Sequence, residues 1–161
     1  MDRRSFVAGS ISSAAVAAGG GRALGLGVAT RAILIDSHVH VWKSDPEFPF
    51  APGVHPTPES ASAETLLGLM RANGVARTVL IQVIHYKWDN RYLASVLKRY
   101  PTLFHGVCRV NPEDPAAPDH LSQLTTEGFH GVRISPAATA AGDWIRGPLM
   151  PPLWRRCNEL K

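Results

Sequence analysis

The chain has 161 residues, 45% hydrophobic and 19% charged, which suits one ordinary domain with a real core. Part of the net charge of +4 belongs to the N-terminus: without residues 1–30, 14 basic side chains stand against 12 acidic ones. With no basic run, that balance leaves nucleic-acid binding without electrostatic support, and two cysteines 49 residues apart (Cys108 and Cys157) make neither a disulfide framework nor a metal spacing. Both read as small core residues.

The first seven residues, Met1-Asp2-Arg3-Arg4-Ser5-Phe6-Val7, resemble a twin-arginine export motif, with Asp2 where Ser or Thr is more usual. From Ser5 to Gly21 no residue is charged, yet the stretch is too short and too weakly apolar to anchor in a bilayer. Ala15-Val16-Ala17 and Ala23-Leu24-Gly25 offer small-residue cleavage sites. Residues 1–30 are therefore expected to be a signal peptide and linker directing the chain to the periplasm, and residues 31–161 the folded part.

Residues 32–39 read as a first strand, an apolar run ending in Asp36-Ser37-His38-Val39-His40. Strand alternation would point Asp36, His38 and His40 to one face. Two imidazoles so placed suit one divalent cation. Five prolines between residues 46 and 58 then enforce a stiff irregular loop, whose Trp42, Phe48 and Phe50 either cover a pocket or anchor the loop. Residues 62–73 read as a helix, with Ser62 as N-cap and Asn73-Gly74 as its end. The apolar run 78–84, with Gln82 inside, is the pattern of a strand buried on both faces. Asp89 or Asn90 caps a second helix, with Leu93, Val96, Leu97 and Tyr100 on one face and Pro101 after it. A third strand (104–110), a third helix (119–127), a fourth strand (131–134) and a helix starting at 152 complete the series.

The order βαβαβαβα requires parallel strands with crossover helices. The strand-to-helix loops are the long ones, and such folds build their sites from these loops at the carboxyl ends of the strands. No glycine-rich phosphate loop follows the first strand, which weakens a dinucleotide-binding reading.

Asp36-Ser37-His38-Val39-His40-Val41-Trp42 resembles the first-strand signature of the amidohydrolase superfamily, and is closest to the amidohydrolase-2 group of sugar lactonases, dicarboxylate lactonases and decarboxylases. Val79-Leu80-Ile81-Gln82, Asp89-Asn90, Phe104-His105-Gly106-Val107 and Gly131-Val132-Arg133 extend the resemblance in the same order. It implies a TIM-like (β/α) barrel, of which about four β/α units are present: the N-terminal half, with the family's later-strand His and Asp positions absent. A full barrel has eight strands and about 250 residues. The resemblance implies a hydrolase acting on a carbonyl-containing small molecule, most plausibly a lactone of a sugar acid or carboxylated ring. The alternatives are a metal-dependent decarboxylase and a catalytically incomplete fragment.

Under that resemblance His38 and His40 are the catalytic pair. They either bind a divalent metal such as zinc, which activates a water, or polarise the carbonyl directly without metal. Arg133 suits a carboxylate or an oxyanion, or else a buried ion pair with Asp36. Gln82, His85, Arg109 and Trp42 are further substrate-binding candidates, with Gln82 a buried amide in need of a partner. Trp144 and Arg146 sit in the long fourth loop. His105 and His130 fall at strand entrances on the face opposite the site, and His120 on a helix surface. Four strands cannot close a barrel, so the open edges are expected to promote self-association.

Overall fold

The computed structural model describes residues 33–135 and 144–161, all within one compact unit, 32–161. Residues 1–32, which include the expected export segment, and residues 136–143 of the fourth long loop lie outside the described residues. The elements are β1 (Leu34–Val39), α1 (Ala63–Asn73), β2 (Val75–Ile81), α2 (Arg91–Arg99), β3 (Phe104–Cys108), α3 (Ala117–Thr126), β4 (Phe129–Val132) and α4 (Met150–Leu160). Short 3-10 turns lie at Ile84–Tyr86 and Trp144–Arg146. No described helix is long and apolar enough to cross a membrane.

The four strands form one parallel sheet in chain order, each paired to the next. One face is covered: Thr78, Leu80 and Gln82 of β2 and its exit, and Phe104, Gly106 and Cys108 of β3, are all buried. On the other face Arg77 and His105 are exposed and Val79 and Val107 half-buried, and only Ile81, at the carboxyl end of β2, is buried among these. Sequential order with helices on one side is the construction of a barrel wall. A doubly wound sheet instead reverses its strand order and carries helices on both faces. The uncovered face is the one a barrel turns inward.

Local chemistry sets the ends of the elements. Ser62 caps α1, its Oγ accepting from the Thr65 N–H at 3.2 Å, and Gly74 at φ 68° closes it in a left-handed turn. That turn feeds straight into Val75, so β2 begins three residues earlier than hydrophobicity suggested. It ends at Ile81 because Val83 leads into the 3-10 turn. Likewise β3 stops at Cys108 rather than 110, and β4 spans 129–132 rather than 131–134. Phe129 belongs to β4 because it fills the notch at Gly106, where an added Cβ would lie 2.9 Å from Phe129 Cδ1 and 2.3 Å from Leu97 Cδ1. Glycine there lets α2 press onto the sheet. Helices α3 and α4 begin earlier than expected, since Pro118 and Pro151-Pro152 sit in their first turns, where proline is tolerated.

The proline-rich loop is closed at its base. Trp42 and Ala61 exchange two backbone hydrogen bonds of 2.9 and 2.8 Å, and Trp42 Nε1–H donates to Pro58 O at 2.9 Å. Inside the loop Phe48 is buried against Tyr92, and the Tyr86 hydroxyl donates to Lys43 O and accepts from Lys43 N–H, each at 3.0 Å. Burial pushes that phenol up to about 12, so it stays neutral and holds both bonds. The loop is thus a packed cover beside the carboxyl ends of β1 and β2.

Candidate active site

The sequence brings polar side chains to the place where each strand ends. His38 and His40 flank Val39, which packs into the core, so both imidazoles stand on the opposite, uncovered face. Their ring centres are 5.1 Å apart and nearly perpendicular. Asp36 does not join them. It is aligned with Thr78 while Val39 is aligned with Leu80, so β1 carries one extra residue between them and the strict alternation is broken. Asp36 Oδ1 instead accepts the N–H of His38 at 3.1 Å, and it makes no ion pair with Arg133.

His40 is tied to the next strand. Its Nδ1 lies 2.7 Å from Ile81 O, and a carbonyl only accepts, so Nδ1 carries the proton. The other nitrogen, Nε2, therefore presents a lone pair, and Arg133 Nη1 approaches it at 3.4 Å. Arg133, just beyond β4, thereby reaches across the sheet to the end of β1. This tautomer, fixed by a backbone carbonyl, is the one metal-binding histidines use. With metal–nitrogen bonds of about 2.0–2.1 Å, two imidazoles on one tetrahedral zinc hold their ring centres roughly 5 Å apart. The His38–His40 pair fits that as two ligands, and no third His, Cys, Asp or Glu completes a cluster among the described residues.

His85, in the 3-10 turn after β2, stacks edge-on to Trp42 at 5.1 Å and faces Phe50 at 6.2 Å. Burial, and then the neighbouring His40, hold its imidazole below the usual 6.5. Arg109, at the exit of β3, is only 5% exposed, with its guanidinium over the Trp88 ring at 5.2 Å and its Nε without a partner. Burial, and then the charge of Arg133, press its basicity down. Its backbone is held by Asn90, whose side-chain amide takes the Arg109 N–H and donates to the Arg109 carbonyl, both at 2.9 Å. Among the described residues neither Arg109 nor Arg133 has a carboxylate partner.

The structure thus brings His38, His40, His85, Trp42, Arg109 and Arg133 to the carboxyl ends of the strands, and removes Gln82. That side chain is 1% exposed on the helix-covered side and donates to Asp89 O at 2.6 Å, so its partner is the protein and not a substrate. Asn90 and Trp88 were missed as positioning residues. Of the two cap candidates for α2, Asp89 and Asn90, it is Asp89 whose Oδ1 takes the first free N–H, from Arg91 at 3.0 Å. A cavity of about 350 Å³ is lined by Arg109, Trp88 and Asn90, while cavities of about 490 and 440 Å³ lie between α2 and the end of α3 and along β4; none of the three is lined by His38, His40 or Arg133. The His38, His40 and Arg133 part of the cluster opens onto the uncovered face, while Arg109 stands in the cavity beside Trp88.

Because His85 is held neutral by its surroundings, the unfolded chain binds the extra proton more readily. Stability should therefore fall as pH drops below about 6.5 toward the depressed folded value. The His85→Gln chain should show a shallower fall in its urea midpoint between about pH 7 and 5. An unchanged slope would mean His85 is not held in the neutral form.

Comparison with known proteins gives this geometry a context. A 2-pyrone-4,6-dicarboxylate hydrolase of Comamonas testosteroni is 36% identical over 101 residues, 63% of this chain and 32% of its own length. An L-fucono-1,5-lactonase of Burkholderia ambifaria is 29% identical over 126 residues, 73% of this chain and 42% of its own length. A solved structure from Pseudomonas putida, assigned as a 2-pyrone-4,6-dicarboxylic acid hydrolase, superposes with a TM-score of 0.63 at 30% identity, covering 79% of this chain and 45% of that one. The chain spans less than half the length of these relatives, and its four parallel strands are part of their barrel. The amidohydrolase sequence pattern itself matches residues 35–161, from the strand that carries the two histidines to the last residue, and the chain belongs to the amidohydrolase family.

Proposed function

We propose that this chain supplies the first four strands' share of a hydrolase site for a lactone that carries a carboxylate. The observation that carries the reading is the pair of guanidiniums without carboxylates among the described residues: Arg109, buried with an unpartnered Nε, and Arg133, against His40. A buried cation without an anion is costly, and a carboxylate on the ligand would relieve that cost with paired, charge-assisted hydrogen bonds. Two relatives named for cyclic esters, one of them a dicarboxylate, support the same reading over decarboxylation.

In this reading Trp42, His85 and Trp88 wall a flat ring, and Arg109 holds its carboxylate. Arg133 faces the carbonyl oxygen as water adds and negative charge develops there. Nε2 of His40 takes a proton from the attacking water, and a proton passes to the ring oxygen as its bond to the carbonyl carbon breaks. A divalent ion held by His38 and His40 would supply a more acidic water at the same place. Residues beyond these four strands, or a partner, would complete the set. Calorimetric titration of the full chain with 2-pyrone-4,6-dicarboxylate tests the anion grip. Arg109→Met and Arg133→Met should each weaken binding about ten- to a hundredfold. Equal binding of the diamide analogue would contradict it.

Export by the twin-arginine route belongs to the same proposal and rests on Arg3-Arg4-Ser5-Phe6 with the uncharged stretch behind it. Exchanging Arg3 and Arg4 together for Lys should leave full-length protein in the cytoplasm. Unchanged delivery and processing would refute it.

Self-association rests on the outer strands. Each of β1 and β4 is paired on one side only, and at the start of the sheet Ile33, Leu34 and Ile35 are 72%, 54% and 52% exposed. A two-fold axis along the strands would pair β1 with β4 of a second copy in the parallel sense and close eight strands. Light scattering after size exclusion should then report a dimer. A monomer with cooperative unfolding would contradict this.

A further inference from the structure

At the opposite end of the sheet from the active site, a second pair of imidazoles meets. His105 follows Phe104 at the entrance of β3, aligned with Val79 on the uncovered face. His130 belongs to β4, where the register slips: Gly106 is aligned with Phe129, but Val107 with Gly131. His130 is the extra residue in that step, and such a bulge re-aims the side chain it carries. The result is a ring-centre separation of 5.2 Å at an interplanar angle of 68°, on two adjacent strands.

Nothing structural accounts for the pair. Both residues are exposed, and among the described residues neither imidazole has a hydrogen bond or an ion pair. Interior positions of a barrel wall ordinarily carry branched apolar side chains, as Val79 and Val107 do further along the same face. The separation is also the one that two imidazoles adopt on a single tetrahedral ion, roughly 5 Å between ring centres for metal–nitrogen bonds of about 2.0–2.1 Å. The catalytic pair stands at nearly the same spacing, 5.1 Å, but at the other end of the strands.

We propose that His105 and His130 form a second metal site, taking one borderline divalent ion of the zinc, nickel or copper class. Imidazole nitrogen suits these ions and disfavours magnesium and calcium, which want oxygen. No third protein ligand stands with the pair among the described residues, so water fills the remaining positions. The ion bridges the entrances of β3 and β4, neighbours already paired in the sheet, and because it binds the folded chain it adds stability as its free concentration rises above its Kd.

The test uses the full-length chain carrying His38→Ala and His40→Ala, which removes the other pair. Zinc titrated into it by calorimetry should bind at one equivalent, with magnesium giving no heat. Adding His105→Ala or His130→Ala should each weaken zinc binding by at least about tenfold. Zinc should raise the melting temperature only while both residues are present. Independently, substoichiometric copper(II) should broaden the ring-proton signals of His105 and His130 before those of His55, His85 and His120. Unchanged zinc affinity in both single variants, or broadening led by another histidine, would overturn the assignment. The broadening experiment needs no substitution at the site, so it decides the question even where a variant folds poorly.

Discussion

The hydrogen bond from His40 Nδ1 to the Ile81 carbonyl, 2.7 Å long, is the contact on which the site depends. It joins the ends of β1 and β2 beyond their last aligned pair, Val39 with Leu80. It also decides which ring nitrogen is free. With Nδ1 committed, Nε2 must face outward as an acceptor, and whatever meets it (guanidinium, water or metal ion) meets a lone pair. Arg133 is placed against that lone pair by its own strand, and His85 lies close enough to feel the same ring. Losing the Ile81 contact would free the tautomer and the ring angle together.

That contact exists because the sheet is covered on one face alone. Gly106 lets Leu97 and Phe129 close over β3, and the buried run of Leu80, Cys108 and Leu153 fixes the strands at their backs. The side chains of the other face then meet no helix among the described residues. Near the carboxyl ends they are histidine and arginine, and at the entrances they are His105 and His130. Among the described residues, charge without a counter-charge at one end and paired imidazoles without hydrogen bonds at the other are both arrangements that a ligand completes.

The four strands, their parallel order and the histidine pair were legible in the sequence because each rests on a local pattern. An apolar strand ends in His-x-His, and turn residues such as Gly74 stop the helices where propensity says they should. What escaped was set by contacts distant in sequence. The alternation rule placed Asp36 beside the histidines, and a one-residue slip against β2 removed it. Gln82 looked like a buried amide waiting for a substrate, but the Asp89 carbonyl seven residues on was already its partner. Asp89 and Asn90 were both candidates for the cap of α2; Asp89 takes it, and the Asn90 amide pairs instead with the backbone of Arg109, nineteen residues away. The meeting of His130 with His105 was hidden for the same reason, since it follows from a bulge that no periodicity announces.

The central claim is that the substrate binds at the carboxyl ends of the strands and not in the cavity between α2 and the end of α3. Side-chain NMR of the full chain during titration with 2-pyrone-4,6-dicarboxylate addresses it directly, since the Arg109 and Arg133 guanidinium and His40 ring signals are resolvable by substitution. The account predicts that these three shift together and saturate at one concentration, with the residues around the roughly 490 Å³ cavity, such as Ser95 and Lys98, unmoved. Shifts confined to that cavity, or no saturable shift at Arg109 and Arg133, would contradict it.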